Sequence, residues 1–313
     1  MIDLSVIIIS IQYGLLYVLM SLGLTMTYSI ARFANFAQGE YVMISAYTAA
    51  LLSILFPIPF MASLVISGVV GALVALASYL VFYKPMMRRG LSSNMIMIGS
   101  IGVMLIYEYI IWIFSDAYNN IFKPKFDPKR LPVSAGGLDL LSAIVVISVA
   151  SVVILAYIYG RTDIGRASRA YADNPALARI SGISETRVMI FMWSVAGFLA
   201  GIGGMLWAAY VSQVTPNMGF ENLLRIFATT ILGGMTSFYG TIAAGLVVGF
   251  AENYGIYLAN RYLGISVAYK PVIPFIIIIF TLLLYPQGLG GIRLSAARLK
   301  SFGVLFARRS QGS

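Results

Sequence analysis

Neither cysteine nor histidine occurs anywhere in the 313 residues. Without cysteine the chain forms no disulfide and offers no thiolate nucleophile. Without histidine it has no imidazole metal ligand and no imidazole proton relay near neutral pH. A magnesium or calcium site built from carboxylates alone needs a tight acidic cluster such as D-x-D, and none is present. No metal and no cofactor are therefore expected on this chain. There is also no G-x-x-x-x-G-K-S/T phosphate loop and no nucleophile set beside a base, so the chain alone is not expected to be an enzyme.

Charge is scarce as well. Charged residues make up 10% of the sequence and hydrophobic residues 60%, against about 25% and 45–50% in a soluble domain. One globular core of this length cannot hide that excess, and lipid is the solvent that accepts it. The N-terminus opens Met1-Ile2-Asp3 and lacks the basic region of a cleavable signal. The apolar run behind it is long enough to span, so it is expected to stay on the chain.

A bilayer core takes about 20 apolar helical residues. Reading between charges gives nine candidate stretches: 4–30, 41–56, 60–83, 94–115, 138–159, 188–211, 223–235, 241–258 and 272–285. The seventh is short for a full crossing. The fold class expected is all-α: a polytopic integral membrane protein with eight to nine transmembrane segments. One transmembrane domain covers 1–293, and a basic tail covers 294–313.

The formal net charge of +10 collects in short loops and in the tail, which marks membrane orientation and not a nucleic-acid surface. Lys84, Arg88 and Arg89 place one loop inside. Arg161, Arg166, Arg169, Arg179 and Arg187 place the loop 161–187 inside. Arg293, Arg298, Lys300, Arg308 and Arg309 place the C-terminus in the cytoplasm. Counting back puts the N-terminus outside. The loop 116–139 is the exception: parity makes it external, yet it carries Lys123, Lys125, Lys129 and Arg130. Its Pro124, Pro128, Pro132 and Gly136-Gly137 are loop chemistry. Further along, Gly197, Gly201 and Gly204, and then Gly245 and Gly249, recur at helical spacing, as close helix packing in lipid requires.

The inner loop 161–187 is too long and too polar for a simple turn. Asn174 suits an N-cap and Pro175 the first helical position; Gly182 suits a left-handed C-terminal cap. A helix of about two turns between them is too short to persist alone in water. Its apolar residues Leu177 and Ile180, with Ile183 just beyond, lie three apart along one edge. A capped, isolated, amphipathic helix of this kind suits a groove on another protein.

Polar residues at membrane depth are costly unless paired or functional. Glu108 and Glu252 fall within apolar stretches, Arg225 near the start of the seventh, and Asn253 beside Glu252. Asn35, Gln38 and Glu40 cluster where the first hairpin breaks. Each has two readings: a structural group at a helix end or in an ion pair, or part of a substrate path.

Four runs together carry a family resemblance. The first is Gly165-Arg166-Ala167 followed by Asn174-Pro175, Ala178-Arg179 and Ser181-Gly182-Ile183. The second is Asn35-Phe36-Ala37-Gln38-Gly39-Glu40, with Gln38 where the signature has histidine. The third is Leu232-Gly233-Gly234-Met235-Thr236-Ser237-Phe238-Tyr239-Gly240. The fourth is Tyr285-Pro286-Gln287-Gly288-Leu289-Gly290-Gly291. They resemble the LivH-type permease subunits of branched-chain amino acid importers driven by ATP, from bacteria and archaea. The resemblance implies a multi-pass permease in a prokaryotic plasma membrane, surrounded by lipid. It implies that loop 161–187 couples to cytoplasmic ATPase subunits, which use ATP and magnesium. A second related permease, or a second copy, and an external solute-binding protein complete the implied assembly. The first run is shared with sugar and urea permeases, so urea, amides or sugars stay open as substrates. An ion-coupled secondary transporter using Glu108 and Glu252, or a membrane assembly subunit, are the readings from other classes.

Overall fold

The computed structural model describes residues 4–56, 58–117 and 140–291. Most of the predicted external loop and the whole basic tail 294–313 lie outside the described residues. Every described element is helical. In chain order they are α1 (Leu4–Ala31), α2 (Gln38–Leu55), α3 (Phe60–Ser78), α4 (Lys84–Arg88), α5 (Ser93–Ala117), α6 (Leu140–Arg161), α7 (Asp163–Asp173), α8 (Pro175–Ile180), α9 (Glu185–Val211), α10 (Met218–Gly233), α11 (Phe238–Phe250), α12 (Ile256–Leu263) and α13 (Val272–Leu284).

A π-helical turn, Tyr79–Tyr83, joins α3 to α4, and another, Ala251–Gly255, joins α11 to α12. Each pair therefore runs as one continuous rod. Pro85 gives a reason for the first turn. It has no N–H for the carbonyl four residues back, and its ring crowds that carbonyl, so the helix widens just before it.

Seven described helices are long and apolar enough to cross a bilayer: Leu4–Ala31, Phe60–Arg88, Ser93–Phe114, Ser142–Arg161, Glu185–Val211, Phe238–Leu263 and Val272–Gly291. Helices α2 and α10 also match predicted stretches but fall outside that set. The 16 residues of α10 reach only about 24 Å at 1.5 Å per residue.

The layering follows from which helices are apolar on every side. Helix α1 has little amphipathicity and is buried almost continuously from Leu15 to Thr27, as a helix without a polar face must be when it fills a bundle centre. It packs along α9 and α11, and α9 in turn packs along α2 and α3. Helices α5, α6 and α13 stand at the rim and expose apolar side chains such as Ile113, Val153 and Leu283. In water such a surface would aggregate; here it faces lipid.

Small residues set the inner spacing, as the glycine pattern predicts. A Cβ on Gly197 would strike the Gly71 carbonyl of α3, and one on Gly204 would strike the Val42 carbonyl of α2. On the other side of α1, a Cβ on Gly249 would meet the Gly14 backbone. We expect Gly197→Val to cost about 1–3 kcal/mol through overpacking, seen as a lower melting temperature of the purified permease. An unchanged melting temperature would show that the α3–α9 contact yields easily.

Candidate functional site

Two polar regions stand out, at opposite ends of the 27-residue helix α9. The first is the pair α7–α8. Thr162 caps α7 through Gly165 N–H, and the side chains of Ser168 and Tyr171 lie buried on one face with Gly165. Gly165 itself sits on the end of α6, where a Cβ would collide with the Ile158 and Tyr159 carbonyls. Arg166 points away, pairs with Asp163 and donates to the Arg161 carbonyl at 3.0 Å. This helix was not expected; the spacing of Gly165, Ser168 and Tyr171, three apart behind a threonine cap, was the signal for it.

Helix α8 matches its expected caps closely. Asn174 Oδ1 accepts from the N–H groups of Ala176 (3.1 Å) and Leu177 (3.0 Å), and Pro175 takes the first helical position. At the other end Gly182, at φ +80°, donates to the Arg179 carbonyl and Ile183 to the Ala178 carbonyl, both at 3.0 Å. That double bond pattern closes the helix and satisfies carbonyls that water would otherwise have to reach. It also turns Ile183 back toward the protein, where it packs partly buried against the core. The apolar edge drawn from the sequence therefore splits. Ala178 is the buried foot of α8, whereas Leu177 and Ile180 project with 60% and 85% of their surface exposed. Arg179 pairs with Glu185 at 3.2 Å, a half-exposed bridge that orients α8 on the first turn of α9 and contributes little energy. Removing the cap with Asn174→Ala is expected to cost about 1 kcal/mol locally, read as faster amide exchange in α8 without a fall in global stability.

Arg32 ties this region to the central helix. It follows α1 in a left-handed conformation, φ +57°, and donates to the Ala172 carbonyl of α7 at 2.6 Å.

Between the two regions the α1–α2 break holds Asn35, Gln38 and Glu40, with Glu108 beside it, and the second region holds Glu252 and Asn253. Asn35 is fully buried, and both polar atoms of its side chain are hydrogen-bonded. Its Oδ1 accepts from Tyr83 Oη–H (2.8 Å) and Ala37 N–H (3.1 Å), and its Nδ2 donates to Tyr41 Oη at 3.3 Å. It fastens the α1–α2 break to the first π turn. Gln38 donates to the Met20 carbonyl at 3.4 Å, while its Oε1 has no partner among the described residues. Glu40 is buried with neither carboxylate oxygen hydrogen-bonded, and it lies against Gly219 in the first turn of α10. Glu108 is half-buried on α5 and acts on Glu40 electrostatically.

Glu252 is buried too, but paired: Oε2 accepts from Tyr17 Oη–H at 2.5 Å, and Oε1 accepts from Arg225 Nε at 2.9 Å. Asn253 Oδ1 accepts from Lys270 Nζ at 2.7 Å. Arg225 stacks over Trp207 at 5.4 Å and Lys270 over Tyr13 at 3.9 Å. Around these groups opens a cavity of about 410 Å³. Burial holds the Lys270 ammonium below the usual lysine pKa; Arg225 pushes it the same way, and Glu252 pulls it back. Sequence reasoning missed Tyr13, Tyr17, Trp207 and Lys270. Of these only Lys270 left a trace, as the single charge between Arg261 and Arg293.

A bundle with a lipid-facing rim, a helix buried at its centre and polar groups gathered within it defines a multi-pass membrane protein. The chain matches, over residues 6–282, the family described as branched-chain amino acid transport system / permease component, and it belongs to that family. It is similar to the probable branched-chain amino acid transport permease protein LivH of Methanocaldococcus jannaschii, 34% identical over 90% of this chain and 91% of the relative. It is also similar to the high-affinity branched-chain amino acid transport system permease protein LivH of Escherichia coli K12, 27% identical over 90% and 93%. A ribose import permease protein, RbsC, of the same organism is 30% identical over 133 residues, 41% of this chain. No solved structure is significantly similar to the chain.

Proposed function

We propose that this chain is the permease subunit of an ATP-driven importer of branched-chain amino acids, as its family and its relatives' names suggest. The observation that carries the ATP-driven part is α8. Its two large apolar side chains, Leu177 and Ile180, face outward on a short helix rigidly capped at both ends, which is what docking into a partner's groove requires. In this reading the α7–α8 end is cytoplasmic, α2 and α10 complete nine crossings within one domain over 1–293, the N-terminus is external, and the C-terminal tail is cytoplasmic. ATPase subunits seat on α8 and hydrolyse ATP with magnesium; this chain binds neither. A second permease, related or identical, and an external solute-binding protein complete the assembly.

Closure of the ATPases is transmitted through α7 to α1 by the Arg32–Ala172 bond and to α9 by Arg179–Glu185. Asn35, Gln38, Glu40, Glu108, Glu252 and Asn253 then divide. The network of Asn35 supports a positioning role, whereas Gln38 and Glu40 keep acceptors without a partner among the described residues at the α1–α2 break, with Glu108 nearby. A sugar is the second substrate reading, favoured by the partial match to the ribose permease. The test is uptake by the reconstituted complex with its ATPases and binding protein. Leucine, isoleucine and valine are expected to enter with ATP on the ATPase side, protonophore and sodium ionophore present. Uptake by the permease alone, driven by an ion gradient and abolished by those ionophores, would overturn the assignment. Import of ribose and not leucine would select the second reading.

A further inference from the structure

The cavity at the far end of α9 from α8 is walled by charges of both signs. Arg225 and Lys270 both reach its wall, and one buried carboxylate, Glu252, serves them. Their hydrogen-bonding capacity is not exhausted. Arg225 spends Nε on Glu252 and Nη1 on the Glu221 carbonyl, which leaves Nη2 without a partner among the described residues. Lys270 spends one of its three N–H groups on Asn253 and presses its charge on the Tyr13 ring. Glu221 lines the same cavity with an exposed carboxylate, and Tyr13, Trp207 and Met218 supply apolar wall. Two half-buried cations with donors to spare favour an anion of planar, two-oxygen shape, and a carboxylate is the small group that meets both. An acid nearby favours a cation on the same molecule. The cavity volume lies in the range of small-molecule sites, roughly 300–1,000 Å³.

We propose that this cavity binds an α-amino acid as its zwitterion, with Arg225 and Lys270 on the carboxylate, Glu221 on the ammonium and the aromatic wall on the side chain. The inference rests on the importer reading above and names where, on this chain, the substrate is held. It also explains the absence of further charge in the cavity: a leucine-like side chain needs only the Tyr13, Trp207 and Met218 surfaces.

The test is leucine uptake by the full complex in proteoliposomes, with three variants of the permease. Lys270→Gln is expected to lower uptake at least about tenfold, the scale of one charge-assisted hydrogen bond, and Lys270→Arg to restore most of it. Glu221→Gln, at an exposed position where folding is not at risk, is expected to weaken uptake several-fold through a raised half-saturation concentration. Co-purification of the ATPases is expected to stay as in the unmodified complex. If the unmodified complex imports leucine and both Lys270→Gln and Glu221→Gln stay within twofold of it, the zwitterion site is overturned and the importer reading stands. Equal losses in Lys270→Arg and Lys270→Gln would also overturn it, because the positive charge would then not be what matters. If the unmodified complex imports no branched-chain amino acid, the importer reading falls and this inference with it.

Discussion

Ile180→Asp is expected to release the ATPase subunits from the purified complex while leaving the permease itself intact. The free chain holds Ile180 with 85% of its surface exposed, so an aspartate there meets water and disturbs folding by no more than about 0.5 kcal/mol. Against an apolar groove the same aspartate becomes an unpaired buried charge, at about 3–5 kcal/mol. That is a loss of roughly 100- to 1,000-fold or more in ATPase affinity, since each 1.4 kcal/mol is tenfold. Co-purification on a tagged permease measures it, and the melting temperature of the permease alone is the control. Ala178→Asp makes the contrast: Ala178 is the buried foot of α8, so its variant is expected to lose melting temperature in the isolated permease. Normal ATPase recovery with Ile180→Asp would sink the docking role of α8.

The second large effect is expected at the buried pair Arg225–Glu252. Arg225→Ala leaves the Glu252 carboxylate with Tyr17 as its one remaining hydrogen-bond donor among the described residues. Breaking one side of a buried pair costs about 3–5 kcal/mol, because the other charge stays behind uncompensated. Glu252→Gln keeps the shape and an acceptor for Tyr17, and Arg225→Ala with Glu252→Gln removes both charges. The double variant is therefore expected to melt well above Arg225→Ala alone. A double-mutant cycle reads the coupling directly. Additive effects of the two single changes would mean that the pair is not coupled in lipid.

Much of the fold was legible because lipid allows few solutions. An apolar run of the right length has to be a helix, as its backbone groups have no water to turn to. All nine stretches found by counting between charges are helices, and the caps at Asn174, Pro175 and Gly182 were readable because each residue type answers a local backbone need. What was not legible depends on distant partners. Glu252 could be read as a member of an ion pair or as part of a substrate path, and no local spacing decides between them, because its partners Tyr17 and Arg225 lie 235 and 27 residues away. Ile183 was placed on the exposed edge by spacing alone, and the turn at Gly182 reversed it. The two glycine-rich runs near 234 and 288 gave no hint that they meet. Yet Gly234 (φ +97°) and Gly288 (φ +59°) approach so closely that a Cβ on either would enter the other segment's backbone.

The burial of α1 has a consequence for how the protein is made. The innermost helix leaves the ribosome well before its partners, since α9 begins at Glu185 and α11 at Phe238. At about 5–20 residues per second of synthesis, α1 waits on the order of ten seconds or more in the bilayer before its packing partners exist. During that interval Gln12, Tyr17 and Thr25, all buried in the finished bundle, face acyl chains or whatever shelters a nascent segment. The helix endures this because it carries no charge at all between Leu4 and Ala31. A single lysine there, harmless in the mature protein if it found Glu252, would meet its test long before that carboxylate was synthesised. Biogenesis, as much as the finished structure, thus favours charges of the Arg225–Glu252–Lys270 cluster on the late helices and a neutral early one.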